Sequence, residues 1–187
     1  MADPPIPVAD LLRCLRLKQV PRRGWELRQI QHPESVADHS WGTALLCLLF
    51  AEEEGVDPGA AAQLAVMHDL TEVITGDIVV HSPQHQEMTP AQKHLHECQA
   101  LADLCRDAPL SRAARHWHAF EDQETPVARF VRDMDLVEMC LQALIYQSDQ
   151  KLRPVEFFTS AEARIQTATG RRLLKRILAF DPNTASR

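Results

Sequence analysis

The sequence is short of the features that mark β-rich, disulfide-stapled or membrane-spanning proteins. Aromatic residues make up 5% of its 187 residues, and the alternating Val, Ile and Thr pattern of strands is nearly absent. Five cysteines with no CxxC spacing favour buried thiols in a reducing cytoplasm over a disulfide framework or a cysteine zinc site. The longest stretch without a charged residue, 40–51, is too short for the roughly 20 residues of a membrane helix.

Positive charge is also in short supply. The 26 acidic residues outnumber the 20 Lys and Arg, so the formal net charge is −6. Binding to a nucleic acid polymer or to a membrane surface depends largely on basic patches, so we expect neither partner. The first ten residues, MADPPIPVAD, lack a basic region followed by an apolar core. We therefore expect no secretory signal and a cytoplasmic protein.

Helix signals dominate the rest of the chain. Its length and its 45% hydrophobic content are those of one globular domain, which we expect to cover residues 1–187. Four capping signals each predict the start of a helix: Ser35, Asp57-Pro58, Thr89-Pro90 and Thr125-Pro126. The helices are expected over about 35–54, 58–75, 90–106, 110–120, 126–146 and 160–180. The predicted fold class is all-α, a single-domain helical bundle.

The helix expected over 58–75 places three polar side chains in an otherwise apolar stretch. Its sequence reads GAAAQLAVMHDLTEVIT, with His68, Asp69 and Glu72 near the end. Burying an imidazole and two carboxylates costs several kcal/mol unless they are paired or bound to a cation. A metal ion would explain the cluster. A solvent-facing helix end or a hydrogen-bonded core histidine are the alternatives.

Two further residues extend this cluster to other helices. His39 lies near the start of the preceding helix, and Asp135 lies on a polar flank of the helix that Pro126 begins. Three helices of one bundle can therefore direct His39, His68, Asp69 and Asp135 towards a common point. This mixed nitrogen and oxygen set suits Mn, Fe, Co, Ni or Zn better than calcium. On an octahedral ion it would leave positions for water or a phosphate oxygen.

Three segments around these residues resemble the HD-domain phosphohydrolases, in particular the branch of 5′-deoxyribonucleotidases and HD domain-containing protein 2. HDLTEVITGD at 68–77 is similar to the family's HDxxExxxGD stretch, and PESVADH at 33–39 is similar to its ESVSDH segment. RFVRDMDLVE at 129–138 resembles the segment around the last metal ligand. The likeness covers about residues 20–146, the motif-bearing core of the expected domain.

The resemblance implies a function as well as a fold. It implies an all-α bundle, often a homodimer, that hydrolyses deoxynucleoside 5′-monophosphates to deoxynucleoside and inorganic phosphate. The cofactor would be one divalent metal ion, drawn from Mn, Co, Ni, Fe, Zn, Cu and Mg. The partner would be a small-molecule nucleotide. The resemblance assigns the metal to four side chains: His39, His68, Asp69 and Asp135.

The resemblance also implies roles beyond the metal ligands. Glu72 would orient the attacking water or carry a proton to the leaving 5′-oxygen. Asp77 would contact the 3′-hydroxyl of the sugar. A site that fits deoxyribose tightly would discriminate against an additional 2′-hydroxyl. Glu72 and Asp77 are therefore the candidate catalytic pair.

One position departs from the family pattern. Trp25 matches the Trp of the family's Arg-Trp pair by its spacing of 14 to His39, but the preceding residue is Gly24, where the bacterial nucleotidases carry a phosphate-binding arginine. Arg22 or Arg23 is expected to substitute, because an arginine is long and binds phosphate in bidentate fashion. The alternatives are a solvated basic turn for the two arginines and core packing for Trp25. The candidate substrate-binding residues are Arg22, Arg23, Trp25 and Asp77.

Two other functions are compatible with the same residues. The chain could hydrolyse another phosphate ester, such as a nucleoside triphosphate, an alarmone or a cyclic nucleotide. It could also be a non-catalytic, metal-bound nucleotide sensor. Glu72 and Asp77 argue against the sensor, because a sensor needs binding but no proton shuttle.

Overall fold

A computed structural model describes residues 8–82, 84–105 and 111–181 of the chain. The rest of the expected 1–187 domain, including the expected helix end at Arg106, lies outside the described residues. Helices form almost all of the regular structure, and one isolated bridge joins Pro21 to Ser35. The predicted all-α fold class is confirmed. The helices are α1 (Val8–Leu15), α2 (Arg23–Glu26), α3 (Val36–Glu54), α4 (Pro58–Met67), α5 (Glu72–Thr75), α6 (Pro90–Leu104), α7 (Ser111–Asp122), α8 (Pro126–Gln150), α9 (Val155–Arg164) and α10 (Ala168–Leu178), with a 3₁₀ turn at Arg16–Gln19.

The four predicted capping signals all begin helices. The Ser35 hydroxyl accepts a hydrogen bond from the backbone N–H of Asp38, and the Asp38 carboxylate accepts one from the backbone N–H of Ser35, so α3 starts with a complete capping box. Asp57, Thr89 and Thr125 cap α4, α6 and α8 in the same way through their side-chain oxygens. These caps fix where each helix starts, and so which residues of its first turns face the interior.

Helix α8 runs through the centre of the bundle. It packs against α3, α4, α7, α9 and α10. Its side chains Phe130, Val131, Met134 and Val137 are at most 1% exposed, and each such burial contributes about 1.5–3 kcal/mol. The polar residues beside this stripe are thereby carried into the interior. Although α8 has 25 residues, no helix among the described residues is long and apolar enough to cross a bilayer.

The helix expected over 58–75 is interrupted in the structure. Helix α4 ends at Met67 and the short α5 begins at Glu72. Between them the backbone tightens into three-residue turns, with Leu70 N bonded to Met67 O at 3.3 Å and Glu72 N bonded to Asp69 O at 3.0 Å. At three residues per turn, Asp69 and Glu72 share a face. The interruption therefore turns both carboxylates towards the same side of the chain.

The C-terminal region also differs from the single helix expected over about 160–180. Helix α9 ends at Arg164, Ile165 is extended, and Thr167 caps a separate α10. The cause is a long-range contact: the buried carboxylate of Asp133 accepts hydrogen bonds from the backbone N–H groups of Gln166 and Thr167 at 2.6–3.1 Å. This contact holds the end of α9 against α8.

Candidate active site

Four side chains predicted as metal ligands lie together in the structure. His39 comes from the first turns of α3, His68 and Asp69 follow α4, and Asp135 comes from the middle of α8. His39 Nε2 lies 3.0 Å from Asp135 Oδ1, and His68 Nε2 lies 3.1 Å from Asp69 Oδ2. The ligating atoms of His39, His68 and Asp135 all lie within 4.8 Å of one another. Three separate segments thus converge on one point.

The two imidazole Nε2 atoms are suited to a cation. Both are buried and have no hydrogen-bond partner of proper geometry within the described part of the chain, although carboxylate oxygens lie close by. The Nδ1 of His68 lies 2.6 Å from the carbonyl oxygen of Ala65. Because a carbonyl only accepts, Nδ1 carries the proton and Nε2 keeps its lone pair. Two such nitrogens with two carboxylates fit a divalent metal ion.

The other face of His39 is held by Glu138. His39 Nδ1 lies 2.5 Å from Glu138 Oε2, which fixes the ring as His68 is fixed by its backbone partner. The contact depends on Gly42, because a Cβ at that position would lie 2.8 Å from Glu138 Oε1. Helices α3 and α8 therefore approach closely where the glycine leaves room.

Opposite charges lie close together around this centre. Arg22 Nη1 lies 3.7 Å from Asp69 Oδ2 and 3.6 Å from Asp77 Oδ1. Burial opposes ionisation of Asp69, but His68, Arg22 and His39 outweigh it and hold its pKa well below the usual range. For Asp135, burial raises the pKa, but the hydrogen bond and the charge of the neighbouring His39 lower it, so the pKa lies below its usual range. Both carboxylates are therefore ionised and ready to bind a cation at neutral pH.

Glu72 is buried behind the ligands and held by a lysine. It is 0% exposed, and Lys93 Nζ on α6 lies 2.8 Å from its Oε1. Its other oxygen, Oε2, has no hydrogen-bond partner among the described residues. Burial and, after it, the negative charge of Asp69 raise the pKa of Glu72 well above its ordinary value, although Lys93 acts to lower it. One carboxylate oxygen is thus anchored and the other is available for a proton.

A cavity of about 650 Å³ opens onto this centre, a size in the usual range for small-molecule sites. Its lining includes His68, Asp69, Asp135, Asp77 and Arg22. Asp77 follows α5 and its Oδ2 accepts a hydrogen bond from the backbone N–H of Arg23 at 2.7 Å. The cavity therefore joins the metal-ligand cluster to a fixed carboxylate past the end of α5.

The structure separates Arg22, Arg23 and Trp25, which the sequence grouped as substrate-binding candidates. The Arg22 guanidinium lies at the centre, whereas the Arg23 side chain is exposed and pairs with Glu87 and Glu26 outside the cavity. Among the described residues, the contact of Arg23 with the site is the one made by its backbone N–H to Asp77. The side chain of Arg23 is therefore in no position to replace an arginine at Gly24.

Trp25 lies in the wall of the cavity rather than projecting into it. It is 2% exposed and packs against Tyr146 and Phe157, with ring centroids 5.2 and 4.5 Å away. Its Nε1 donates a hydrogen bond to Glu34 Oε1 at 2.7 Å. Core packing, the alternative weighed for this residue, accounts for its contacts with Tyr146 and Phe157, and Trp25 also lines the cavity.

Four residues of the site had no role in the sequence analysis. These are Lys93, Arg132, Glu138 and Arg164. Glu138 lies in the motif-bearing stretch 129–138, one helical turn after Asp135, and that spacing was a usable signal. Lys93 and Arg164 approach from other helices, 21 residues from Glu72 in the case of Lys93. No local pattern in the sequence marks either of them.

Comparisons with known proteins identify a matching family model, named relatives and a solved structure of similar fold. A family model described as HD domain matches residues 14–177. The Xenopus laevis protein named 5′-deoxynucleotidase HDDC2 is 33% identical over 158 residues, covering 81% of this chain and 75% of its own length. The Schizosaccharomyces pombe protein named 5′-deoxynucleotidase hdd1 is 32% identical, over 75% of this chain and 72% of its own. The crystal structure of PH0347 from Pyrococcus horikoshii superposes with a TM-score of 0.76 at 28% identity, covering 91% of this chain and 97% of that one.

Proposed function

The chain belongs to the HD domain family, and on that premise we propose that it is a metal-dependent 5′-deoxynucleotidase. Its reaction would be the hydrolysis of deoxynucleoside 5′-monophosphates to deoxynucleoside and inorganic phosphate. The observation that carries the proposal is the pair of buried imidazole Nε2 atoms, of His39 and His68, that have no hydrogen-bond partner among the described residues and lie beside two ionised carboxylates that line the cavity. Relatives that carry the name 5′-deoxynucleotidase support the choice of substrate.

The metal would be held by His39, His68, Asp69 and Asp135. A divalent ion bound there supplies a Lewis acid for the phosphoryl oxygen and lowers the pKa of a water molecule. The nitrogen and oxygen donors favour an ion of the first transition row, among Mn, Fe, Co, Ni and Zn. Cu and Mg remain in the set to be tested.

Glu72 would act as a general base and general acid in the reaction. Its Oε1 is anchored by Lys93 at 2.8 Å, so the carboxylate cannot turn away. Its buried Oε2 is free of other partners within the described residues and can accept a proton from the attacking water and return it to the leaving 5′-oxygen. A carboxylate whose pKa is raised by burial is suited to both halves of this exchange near neutral pH.

Asp77 would orient the sugar. Its carboxylate is fixed by the Arg23 backbone N–H and by the nearby Arg22 guanidinium, and it lines the cavity. An anchored carboxylate accepts a hydrogen bond from a hydroxyl group such as the 3′-hydroxyl. Trp25 would supply rigid apolar wall on the same side of the cavity.

We also propose that the protein is a homodimer. Helix α3 presents an exposed apolar stripe at helical spacing, with Trp41, Leu45 and Leu48 between 40 and 68% exposed. Apolar stripes of this kind mark interaction surfaces, and a twofold axis would pair the stripe with its own copy. Sedimentation should give a dimer for the wild type and a monomer for Trp41→Glu. A monomeric wild type would contradict the proposal.

The cytoplasm is the compartment that we propose. Cys47 and Cys140 are free thiols and are completely buried. Burial raises the pKa of both thiols to about 12, so neither is reactive at neutral pH. Buried thiols of this kind are typical of a reducing compartment.

Two variants test the proposed division of roles. His68→Ala removes a ligand, so metal binding and phosphate release from a deoxynucleoside monophosphate should both be lost. Glu72→Ala leaves the ligands in place, so metal content should persist while turnover falls by roughly a hundredfold or more. Metal content is measured on the same sample as phosphate release. Full activity in Glu72→Ala would show that the proton role is wrong.

A further inference from the structure

The cavity contains five Lys and Arg side chains, and one of them differs from the rest. Arg22, Arg28, Lys93 and Arg132 each have a carboxylate oxygen 2.6–3.6 Å away. Arg164 bonds only to neutral oxygens of Ser160, through Nε to the carbonyl at 3.2 Å and through Nη2 to the hydroxyl at 3.0 Å. Among the described residues, Arg164 is therefore the cavity arginine or lysine whose charge no carboxylate contacts.

The position of Arg164 is fixed by the fold. It is the last residue of α9, and the backbone N–H groups two and three residues later are held by the buried Asp133 of α8. Gly170 permits this contact, because a Cβ there would lie 2.7 Å from Asp133 Oδ2. Ser160, one helical turn earlier, orients the Arg164 guanidinium by accepting hydrogen bonds from it. An unpaired arginine is thus fixed on the cavity wall rather than left free in solvent.

A second arginine adds to the positive charge beside it. Arg132 lies on α8, one turn before Asp135, with its guanidinium 3.9 Å from the centre of the Phe120 ring and its Nη1 3.9 Å from Asp135 Oδ2. Burial and then the charges of Arg164 and Arg132 lower the pKa of His81 at the cavity rim. Burial lowers the pKa of Arg164, Asp135 opposes this shift, and Arg132 reinforces it. Two guanidinium groups thus lie on the cavity wall near Asp135, and within the described residues no carboxylate contacts that of Arg164.

We propose that Arg164, assisted by Arg132, binds the phosphate group of the substrate. The assignment rests on the proposed function, and it places the phosphate between the metal ligands and the α9 end of the cavity. A phosphate monoester carries up to two negative charges, and a guanidinium with unfilled donors binds it in bidentate fashion. Arg22 is less available for this task, because Asp69 and Asp77 already flank it. The positive charge that an arginine at position 24 would provide is thus supplied by a residue more than a hundred positions later in the chain.

Inorganic phosphate is the direct probe of this subsite. Calorimetric titration of metal-loaded wild type should give a measurable affinity, and Arg164→Gln should weaken it by roughly tenfold or more, as expected for a lost charged hydrogen bond. Arg164→Lys keeps the charge without the bidentate guanidinium, so its affinity for phosphate should lie between those of the wild type and Arg164→Gln. Arg171→Gln removes an equal charge from the exposed face of α10 and should bind phosphate like the wild type.

Binding of a deoxynucleoside that has no phosphate separates recognition from structural damage. Arg164→Gln should raise KM for the monophosphate and leave the affinity for the deoxynucleoside unchanged. The proposal is overturned if Arg164→Gln binds phosphate as tightly as the wild type, or if it loses deoxynucleoside and phosphate affinity alike. If phosphate binding depends on Arg164 but no deoxynucleotide is hydrolysed, the subsite stands and the proposed function fails.

Discussion

At the scale of single residues, the candidate ligands are positioned by neighbours that do not themselves reach the metal position. His39 and His68 each use Nδ1 for a fixed oxygen, Glu138 Oε2 in one case and Ala65 O in the other, so each Nε2 faces the same point. Partners of this kind set the tautomer and orientation of a ligating ring. Their loss is expected to weaken metal binding without removing a ligand.

The contact between Glu138 and His39 gives the first prediction. Glu138→Ala should weaken metal affinity by about 10- to 100-fold, because the ring of His39 loses its orienting partner. Competition with a chelator measures the affinity, and Glu52→Gln, an exposed change on α3, is the control. Unchanged metal affinity in Glu138→Ala would show that His39 is held by packing alone.

Lys93 gives the second prediction, since it anchors Glu72 at 2.8 Å. Lys93→Met should lower turnover between about tenfold and a hundredfold while metal content stays constant. Lys93 lowers the pKa of Glu72 against burial, so its removal raises that pKa further. The limb of the kcat–pH profile that Glu72 governs should therefore move to higher pH. A profile that coincides with that of the exposed control Lys175→Met would contradict the assignment.

At the scale of elements, the site depends on two interrupted helices and one close crossing. The turn between α4 and α5 puts Asp69 and Glu72 on one face, and the break between α9 and α10 ends α9 at Arg164. No Pro or Gly lies at either break itself, in residues 68–71 or 165–167. The first is a tightened backbone turn and the second is held by Asp133 from another helix. Patterns of local sequence cannot show the second cause, because it is a contact with another helix.

The close crossing of α3 and α8 gives the third prediction. Gly42→Ala would place a methyl group 2.8 Å from Glu138 Oε1, so Glu138 must move away from His39. We expect weaker metal binding and a loss of about 1–3 kcal/mol of stability. In the matched change Gly24→Ala, the new Cβ meets only Arg28 Nη1 at 3.9 Å. Equal metal affinity in both variants would show that the crossing of α3 and α8 can accommodate a methyl group without moving Glu138 away from His39.

The sequence predicted the elements whose signals are local. The caps at Ser35 and Thr125 located α3 and α8, and with them His39 and Asp135. Adjacent motif residues such as His68 and Asp69 could also be found in this way. Lys93 and Arg164 could not, because each acts on the site across a tertiary contact and carries no motif of its own. Arg23 was chosen for its position in sequence, and its side chain points elsewhere.

At the scale of the whole molecule, buried charge makes stability depend on pH. Burial raises the pKa of Glu97 to about 7, against the attraction of Lys93, from an ordinary value of 4.5. The folded state then holds this proton more tightly than the unfolded chain does. Its contribution to the free energy of unfolding therefore falls as pH rises from about 4.5 to 7, by at most about 3 kcal/mol, and is level above that.

Glu97→Gln, which cannot ionise, gives the fourth prediction. The wild type should lose stability relative to this variant between pH 5 and pH 7, with little further loss up to pH 8, as followed by urea unfolding of both proteins at each pH. The exposed carboxylate change Glu124→Gln should show no such divergence. Parallel stability curves for wild type and Glu97→Gln would mean that Glu97 is ionised throughout this range.

The central claim is that this cavity holds a metal-dependent phosphomonoesterase centre for deoxynucleotides. The most direct measurement is phosphate release from deoxy- and ribonucleoside monophosphates by metal-stripped protein that is reloaded with Mn, Co, Ni, Zn or Mg. We predict release from deoxynucleoside monophosphates that saturates at one bound ion per chain and disappears in Asp69→Ala. Absence of release with every metal, or equal release by Asp69→Ala, would contradict the account.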